Sequence, residues 1–303
     1  MMRTLRIGTR GSPLALAQAR MVATALRNAH GWGPEVIEIV PITTTGDMVR
    51  DRPLAEIGGK GLWTKELDAC LMDGRTDVSV HSMKDVETIR PAELAIAAML
   101  PREDVRDRLI GAESVASLPQ GARLGTSSPR RAAQLLARRP DLQIVALRGN
   151  VETRLRKIEM GEADATLLAA AGLIRLGRGD TGVVLKDFLP APAQGAVGVE
   201  VRAGDRRART LIGAIDCRAT HVAVSAERKL LEGLGGSCRS PVAALATIEG
   251  GDIRLRAEIL TEDGREAERC DVRFPIGHEA APLDLARQLL SRAAPALRAL
   301  FAG

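Results

Sequence analysis

Two stretches of the chain repeat one pattern of apolar and polar positions. Arg6-Ile-Gly-Thr-Arg-Gly-Ser-Pro-Leu-Ala-Leu-Ala-Gln18 and Arg123-Leu-Gly-Thr-Ser-Ser-Pro-Arg-Arg-Ala-Ala-Gln134 each read as a short strand, a Gly-Thr turn and a helix rich in alanine and leucine. Ser12 and Ser128 suit the N-cap, and Pro13 and Pro129 suit the first helical position, where the missing N–H costs nothing. A helix start behind a tight glycine turn presents backbone N–H groups and suits an anion. The exits match too: Gly74-Arg-Thr-Asp77 runs into Val78-Ser-Val80, and Gly161-Glu-Ala-Asp164 into Ala165-Thr-Leu-Leu168. Both read as helix end, glycine cap and buried strand. The common order predicts two related α/β domains, each with a mainly parallel sheet and its ligands at the carboxyl ends of the strands.

The last part of the chain follows another pattern. Ile253-Arg-Leu-Arg-Ala-Glu-Ile259 and Cys270-Asp-Val-Arg-Phe274 alternate strictly, and Asp263-Gly264 between them suits a hairpin turn. Leu283 to Leu300 then reads as one amphipathic helix. These elements predict a small α+β domain with one sheet face solvated, beginning near Thr220. In the first copy a longer piece holds Thr43-Thr-Thr-Gly-Asp47 and Ile57-Gly-Gly-Lys-Gly61, which is either a lid or a plain surface loop.

Composition narrows the partners. At 303 residues the chain has room for two or three domains. Aromatic residues are 2% and tyrosine is absent, so the cores are built from Leu, Val, Ile and Ala. The formal charge of +5 favours an anionic partner. Nucleic acid fits poorly, because single-strand binders use aromatic platforms and no block of five or six basic residues occurs. Met1 to Pro13 lacks the apolar core of a secretory signal, and no apolar stretch is long enough to span a bilayer. Cys70, Cys217, Cys238 and Cys270 are scattered, so neither a metal site nor a disulfide framework is expected. The expected compartment is the cytoplasm.

Basic residues recur where loops should meet a ligand: Arg10, Lys60, Lys84, Arg130, Arg131, Arg148, Arg154 and Arg175. Guanidinium forks bind carboxylates in bidentate fashion at any working pH. Arg130 and Arg131 stand in the first turn of a predicted helix, where cations oppose the dipole, and a bound anion would account for them. For any single arginine a solvated basic face explains as much. The set, on loop after loop, favours one shared anionic ligand. His81-Ser-Met-Lys-Asp-Val86 follows a buried strand, and Asp85 reads either as a turn cap or as a carboxylate that stabilises a cation or moves a proton. Gly233-Leu-Gly-Gly-Ser-Cys-Arg-Ser-Pro241 sets Cys238 beside Arg239, which favours a thiolate; the other reading is an inert buried cysteine.

Taken in order, these segments resemble the porphobilinogen deaminase (hydroxymethylbilane synthase) family over essentially the whole chain. The matching motifs are Ile7 to Pro13, Gly58-Gly-Lys-Gly-Leu62 with Lys65-Glu66-Leu67, His81 to Val86, Gly125-Thr-Ser-Ser128 with Arg130-Arg131, Leu147-Arg-Gly-Asn150, Gln194-Gly-Ala196 and the cysteine loop. The resemblance implies two α/β domains like periplasmic binding proteins around a cleft, plus a small C-terminal α+β domain. The corresponding boundaries are 1–98 with 195–218, 99–194, and 219–303. It implies a dipyrromethane cofactor joined by a thioether to Cys238, and four porphobilinogens added head to tail with loss of ammonia in tetrapyrrole (haem) biosynthesis. Asp85 would be catalytic. Ser12, Lys84, Asp85, Thr126, Ser128, Arg130, Arg131, Arg148 and Gly149 would hold the cofactor. Arg10, Arg148, Arg154, Arg175 and Gln194 would meet the substrate, and Lys60 would belong to the lid loop. No metal, nucleic acid or membrane enters this scheme, and the expected state is a monomer. Glu56 and Ala193 depart from the familiar lysine and glycine, which puts the lid contact and the flexibility before Gln194 in doubt. The competing reading is a non-catalytic cytosolic anion-binding or sensor protein with a two-domain cleft, which would have no use for Cys238.

Overall fold

The computed structural model describes residues 4–44, 63–236 and 240–301. Lys60, Glu56 and Cys238 lie outside the described residues. The chain forms two compact units, Met1–Glu103 with Ala196–His221 and Asp104–Gly195 with Val222–Gly303.

The first unit is built on a five-stranded sheet ordered β2-β1-β3-β10-β4. Its strands are β1 (Leu5–Arg10), β2 (Ile37–Ile42), β3 (Val78–Ser82), β4 (Leu94–Met99) and, from much later in the chain, β10 (Val197–Arg202). The helix Pro13–His30 is capped by the Ser12 hydroxyl, which accepts from the Ala15 N–H. It buries Ala15, Gln18, Ala19, Val22, Ala23 and Leu26, a stripe at helical spacing, against the sheet residues Leu5, Ile7, Val78 and Val80.

The second unit carries a sheet of the same plan, ordered β7-β6-β8-β5-β9. It contains β5 (Asp107–Ile110), β6 (Arg123–Gly125), β7 (Gln143–Val145), β8 (Ala165–Ala169) and β9 (Val183–Leu185). The duplication extends to side chains. In the first copy Arg6 donates from its backbone N to Asp77 Oδ2 at 2.9 Å and from Nη2 to the Gly74 carbonyl at 2.6 Å. In the second, Arg123 makes the same two bonds to Asp164 Oδ2 at 2.7 Å and to the Gly161 carbonyl at 2.9 Å.

Each sheet is mainly parallel, as expected, with four strands running one way and one reversed strand that makes it mixed. β1 is parallel to β2 and β3, but β10 runs antiparallel to β3 and β4. Likewise β6 is parallel to β7 and β8, while β5 is antiparallel to β8 and β9. The reversed strands come from outside the repeated segments, so the repeat itself carries no sign of them.

The second unit also holds a three-stranded antiparallel sheet of β11 (Val242–Glu249), β12 (Asp252–Leu260) and β13 (Ala267–Pro275). The expected hairpin joins β12 to β13. Residues from the helices Arg218–Gly233 and Ala281–Arg292 share its core, with Leu230, Leu255, Ile259 and Leu289 among the fully buried side chains. The single helix expected over Leu283 to Leu300 is two: Ala281–Arg292 and Pro295–Ala299. Proline disfavours helical backbone in the residue before it, and Ala294 is extended at ψ 156°.

Buried polar contacts tie this small sheet to the rest of its unit. Gln134 Nε2 donates to Glu258 Oε2 at 2.8 Å. Glu227, fully buried, accepts from the N–H groups of Ala193 at 2.6 Å and Ala246 at 2.7 Å. Ala193 has a φ of 62°, the one positive value at a non-glycine among the described residues.

Candidate functional site

Three parallel strands in each unit bring their carboxyl ends to one edge, and the predicted residues collect there. In the first unit Arg10 closes β1 and is followed by Ser12. β3 leads directly into a tight turn, Met83–Asp85, that carries Lys84 and Asp85. A single pocket is lined by Arg10, Ser12, Gln18, Trp63, His81, Ser82 and Asp85, with Leu14, Val80 and Val86 as its apolar part. The Arg10 guanidinium lies over the Trp63 ring, 3.8 Å from its centroid. Such stacking fixes a cation's direction without neutralising it. Gln18 and Ser82 exchange hydrogen bonds of 2.8 and 3.1 Å across the pocket wall.

The turn bearing Asp85 is anchored from below. Met83 is buried, and its N–H donates to the Ala196 carbonyl at 3.1 Å. Its side chain lies over Gly198 on β10, where a Cβ would run into the Met83 sulfur. Glycine at 198 is therefore a requirement of close approach.

Beside the pocket is a buried acidic network. His81 Nε2 is 3.2 Å from Glu200 Oε2, and Glu200 is fully buried. Arg90 donates to both oxygens of Glu200 at 2.9 Å, to Asp68 at 2.6 Å and to Glu87 at 2.6 Å. Burial pushes the Glu200 carboxyl up, but its hydrogen bonds and charge interactions with His81 and Arg90 outweigh this and hold it down at about 2. For Asp68 burial dominates and the carboxyl lies above its ordinary value.

In the second unit β6, β7 and β8 present the corresponding edge. Thr126 and Ser128 follow β6, and Ser128 caps the helix Pro129–Leu136. Arg148, Gly149 and Asn150 follow β7, and Asn150 caps the helix Val151–Glu159. Gly149 has a φ of 119°, and a Cβ there would strike Thr153. Arg154 is turned back onto this loop, donating from Nε to the Gly149 carbonyl at 2.9 Å. Arg175 ends the short helix after β8 and donates to the Gly195 carbonyl at 2.6 Å.

Arg130, Arg131 and Gln194 depart from expectation. Both guanidiniums turn into the interior, Arg130 to Asp107 Oδ2 and Arg131 to Asp107 Oδ1, each at 2.7 Å. Arg130 is 3% and Arg131 5% exposed, and Asp107 is 1% exposed. The anion that offsets two cations in a helical first turn is thus the protein's own. Gln194, expected at the substrate, is buried and donates to Asp107 at 2.9 Å and to the Val105 carbonyl at 2.7 Å. Burial alone would raise the Asp107 carboxyl and lower the Arg130 guanidinium. For Asp107 the charges and hydrogen bonds of both arginines win and hold it well below the carboxylate range, whereas for Arg130 burial wins.

Trp63, Gln18, Arg90 and Asp107 were not singled out in the sequence. Trp63 had a usable signal, as one of only two tryptophans, directly after the Gly58 to Leu62 motif. Arg90 had none, because its partners are scattered over three segments.

The chain is similar to known proteins over most of its length. The family model described as "Porphobilinogen deaminase, dipyromethane cofactor binding domain" matches residues 5–210, and "Porphobilinogen deaminase, C-terminal domain" matches 221–291. A porphobilinogen deaminase of Sphingopyxis alaskensis is 56% identical over 306 residues, covering 98% of this chain and 96% of that protein. Another, of Paracoccus denitrificans, is 52% identical over 297 residues, covering 95% and 94%. Among solved structures, the second substrate binding domain of a putative amino acid ABC transporter from Streptococcus pneumoniae aligns with a TM-score of 0.44 at 10% identity, over 70% of this chain and 90% of that one. Among the described residues no helix is long and apolar enough to cross a membrane.

Proposed function

The chain belongs to the porphobilinogen deaminase family, and from that premise we propose that it joins four porphobilinogens head to tail into hydroxymethylbilane, as a cytoplasmic monomer carrying one dipyrromethane. The observation that carries the reading is the pocket at the end of β3, where the Asp85 carboxylate shares walls with Arg10, Ser12 and Gln18.

The donor set fits a dipyrrole bearing acetates and propionates. Hydroxyls at Thr126 and Ser128, guanidiniums at Arg148 and Arg154 and two capped helix starts stand together at one sheet edge, and all of them favour carboxylates. Cys238 would hold the group by a thioether. When bound, the dipyrromethane supplies the primer to which the first substrate is joined.

Each addition breaks the aminomethyl C–N bond, and ammonia leaves with its electron pair. The methylene carbon left behind is electron-poor, and the free α-carbon of the terminal pyrrole attacks it; that carbon then gives up its proton. Asp85, in the pocket that Arg10 also lines, stabilises the cationic pyrrole through its ring N–H and takes part in moving the proton. Gln18 and Ser82 hold each other in the wall of the Asp85 pocket. Arg10, Arg148, Arg154 and Arg175 take up carboxylates as the product lengthens. Arg130, Arg131 and Gln194 act at one remove, through Asp107, by holding the Ser128-capped helix against β5. The family match does not favour the non-catalytic sensor reading.

Asp85→Asn tests the assignment, because it keeps the size and loses the charge. The variant should carry the dipyrrole mass and melt as the wild type does, while porphobilinogen consumption falls at least about a hundredfold. Near-normal consumption would remove Asp85 from the chemistry.

A further inference from the structure

Arg90 reverses the usual order of burial. Ile89 beside it is 74% exposed, whereas the Arg90 side chain is 10% exposed. An exposed isoleucine next to a buried arginine means that the local chain is arranged for the guanidinium.

That guanidinium meets four side chains on three segments. On β10 it forms a fork with Glu200, both bonds at 2.9 Å. In the helix Lys65–Met72 it meets Asp68, and in its own loop Glu87, each at 2.6 Å. It also reaches the Thr64 hydroxyl at 3.3 Å, and that hydroxyl donates to Glu87 at 2.9 Å. Three carboxylates therefore converge on one cation. Removing the cation would leave these carboxylates facing one another without the charge that joins them.

The place of the network in the chain gives it its consequence. Asp85 stands five residues before Arg90, so the segment between them is a short strap. Its near end is fixed by Met83 over Gly198 and its far end by the Arg90 fork. Thr64 follows Trp63, whose ring lies under the Arg10 guanidinium. The contact to the Thr64 hydroxyl is the longest of the set, and the shorter ones fasten the strap of Asp85.

We propose that Arg90 is a positioning residue for Asp85: its fork with Glu200, together with Asp68 and Glu87, fixes the strap so that the carboxylate keeps one place through every addition. The inference rests on the function proposed above. A displaced carboxylate lowers the rate of chemistry, since about 1 Å of misplacement can cost on the order of a hundredfold. It leaves substrate affinity nearly intact, because the carboxylates of the substrate are bound by other residues.

The test uses the full-length holoenzyme with Arg90→Met and Arg90→Lys, measuring intact mass, kcat and KM for porphobilinogen. Both variants should carry the dipyrrole mass, with KM within about twofold of wild type. The kcat of Arg90→Met should fall at least about tenfold, and that of Arg90→Lys, which keeps the charge but not the planar fork, by a smaller factor. Wild-type kcat in loaded protein, or a raised KM with unchanged kcat, overturns the proposal. Should Arg90→Met fail to fold, Arg90→Lys decides by the same readings. Absence of the dipyrrole mass from wild-type protein strikes instead at the proposed function, so the two failures are distinguishable.

Discussion

Replacing Asp107 by alanine isolates the claim that the protein supplies its own anion to Arg130 and Arg131. Asp107 is 1% exposed and takes two charge-assisted hydrogen bonds of 2.7 Å and a third of 2.9 Å from Gln194. Truncation leaves two buried guanidiniums without their carboxylate, a change that costs about 3–5 kcal/mol in buried ion pairs. At roughly 2–4 °C per kcal/mol for a domain of this size, the melting temperature should fall on the order of 10 °C. The sign of the pH dependence is set as well. The folded carboxyl lies below its unfolded value, so its stabilisation is complete above about pH 5 and is lost as pH falls through about 4 and below. Wild type should therefore lose more stability than Asp107→Ala on acidification through that window. Scanning calorimetry at pH 7 and at stepwise lower pH reads both effects. The loss at pH 7 should be equal in cofactor-loaded protein and in a Cys238→Ser background, since the pair is internal. A drop below about 3 °C, or a loss confined to one background, would refute the reasoning and return those guanidiniums to the ligand.

Ala193→Gly should raise the urea midpoint with an unchanged slope, by about 0.5–1 kcal/mol, since a left-handed alanine costs roughly 1–2 kcal/mol and glycine gives part of that back as chain entropy; a lower midpoint would contradict the strain. Gly198→Ala should destabilise by about 1–3 kcal/mol through the Met83 clash and lower kcat by shifting the Asp85 turn, and unchanged values of both would show that the turn is not seated there. Arg148→Leu should lower the fraction of chains carrying the dipyrrole mass, and full loading with wild-type turnover would take the loop after β7 out of the site.

The repeated strand, turn and helix were legible because the physics behind them is local. Ser12 and Ser128 cap the helices expected, and the Arg6–Asp77 and Arg123–Asp164 pairs occupy equivalent places. The reversed strands were not legible, because β10 pairs with β3 from more than a hundred residues away. The same distance effect hid the partner of Arg130 and Arg131: the helix-dipole argument correctly demanded an anion, but nothing in the spacing pointed to Asp107. The break before Pro295 was missed, because the amphipathic pattern on either side concealed the bias of a proline against helical backbone in the residue before it. In the pocket, Asp85, Arg10 and Ser12 stood out as polar residues beside glycines and strand ends. Arg90 and Gln18 did not, because a buried polar side chain is marked by its partners and not by its neighbours in the chain.

The intact mass of the purified protein tests the central claim most directly. The account predicts a mass above that of the sequence by one dipyrromethane unit, a return to the sequence mass in Cys238→Ser, and stepwise increases when wild type is mixed with porphobilinogen. An active protein at the unmodified sequence mass would contradict it.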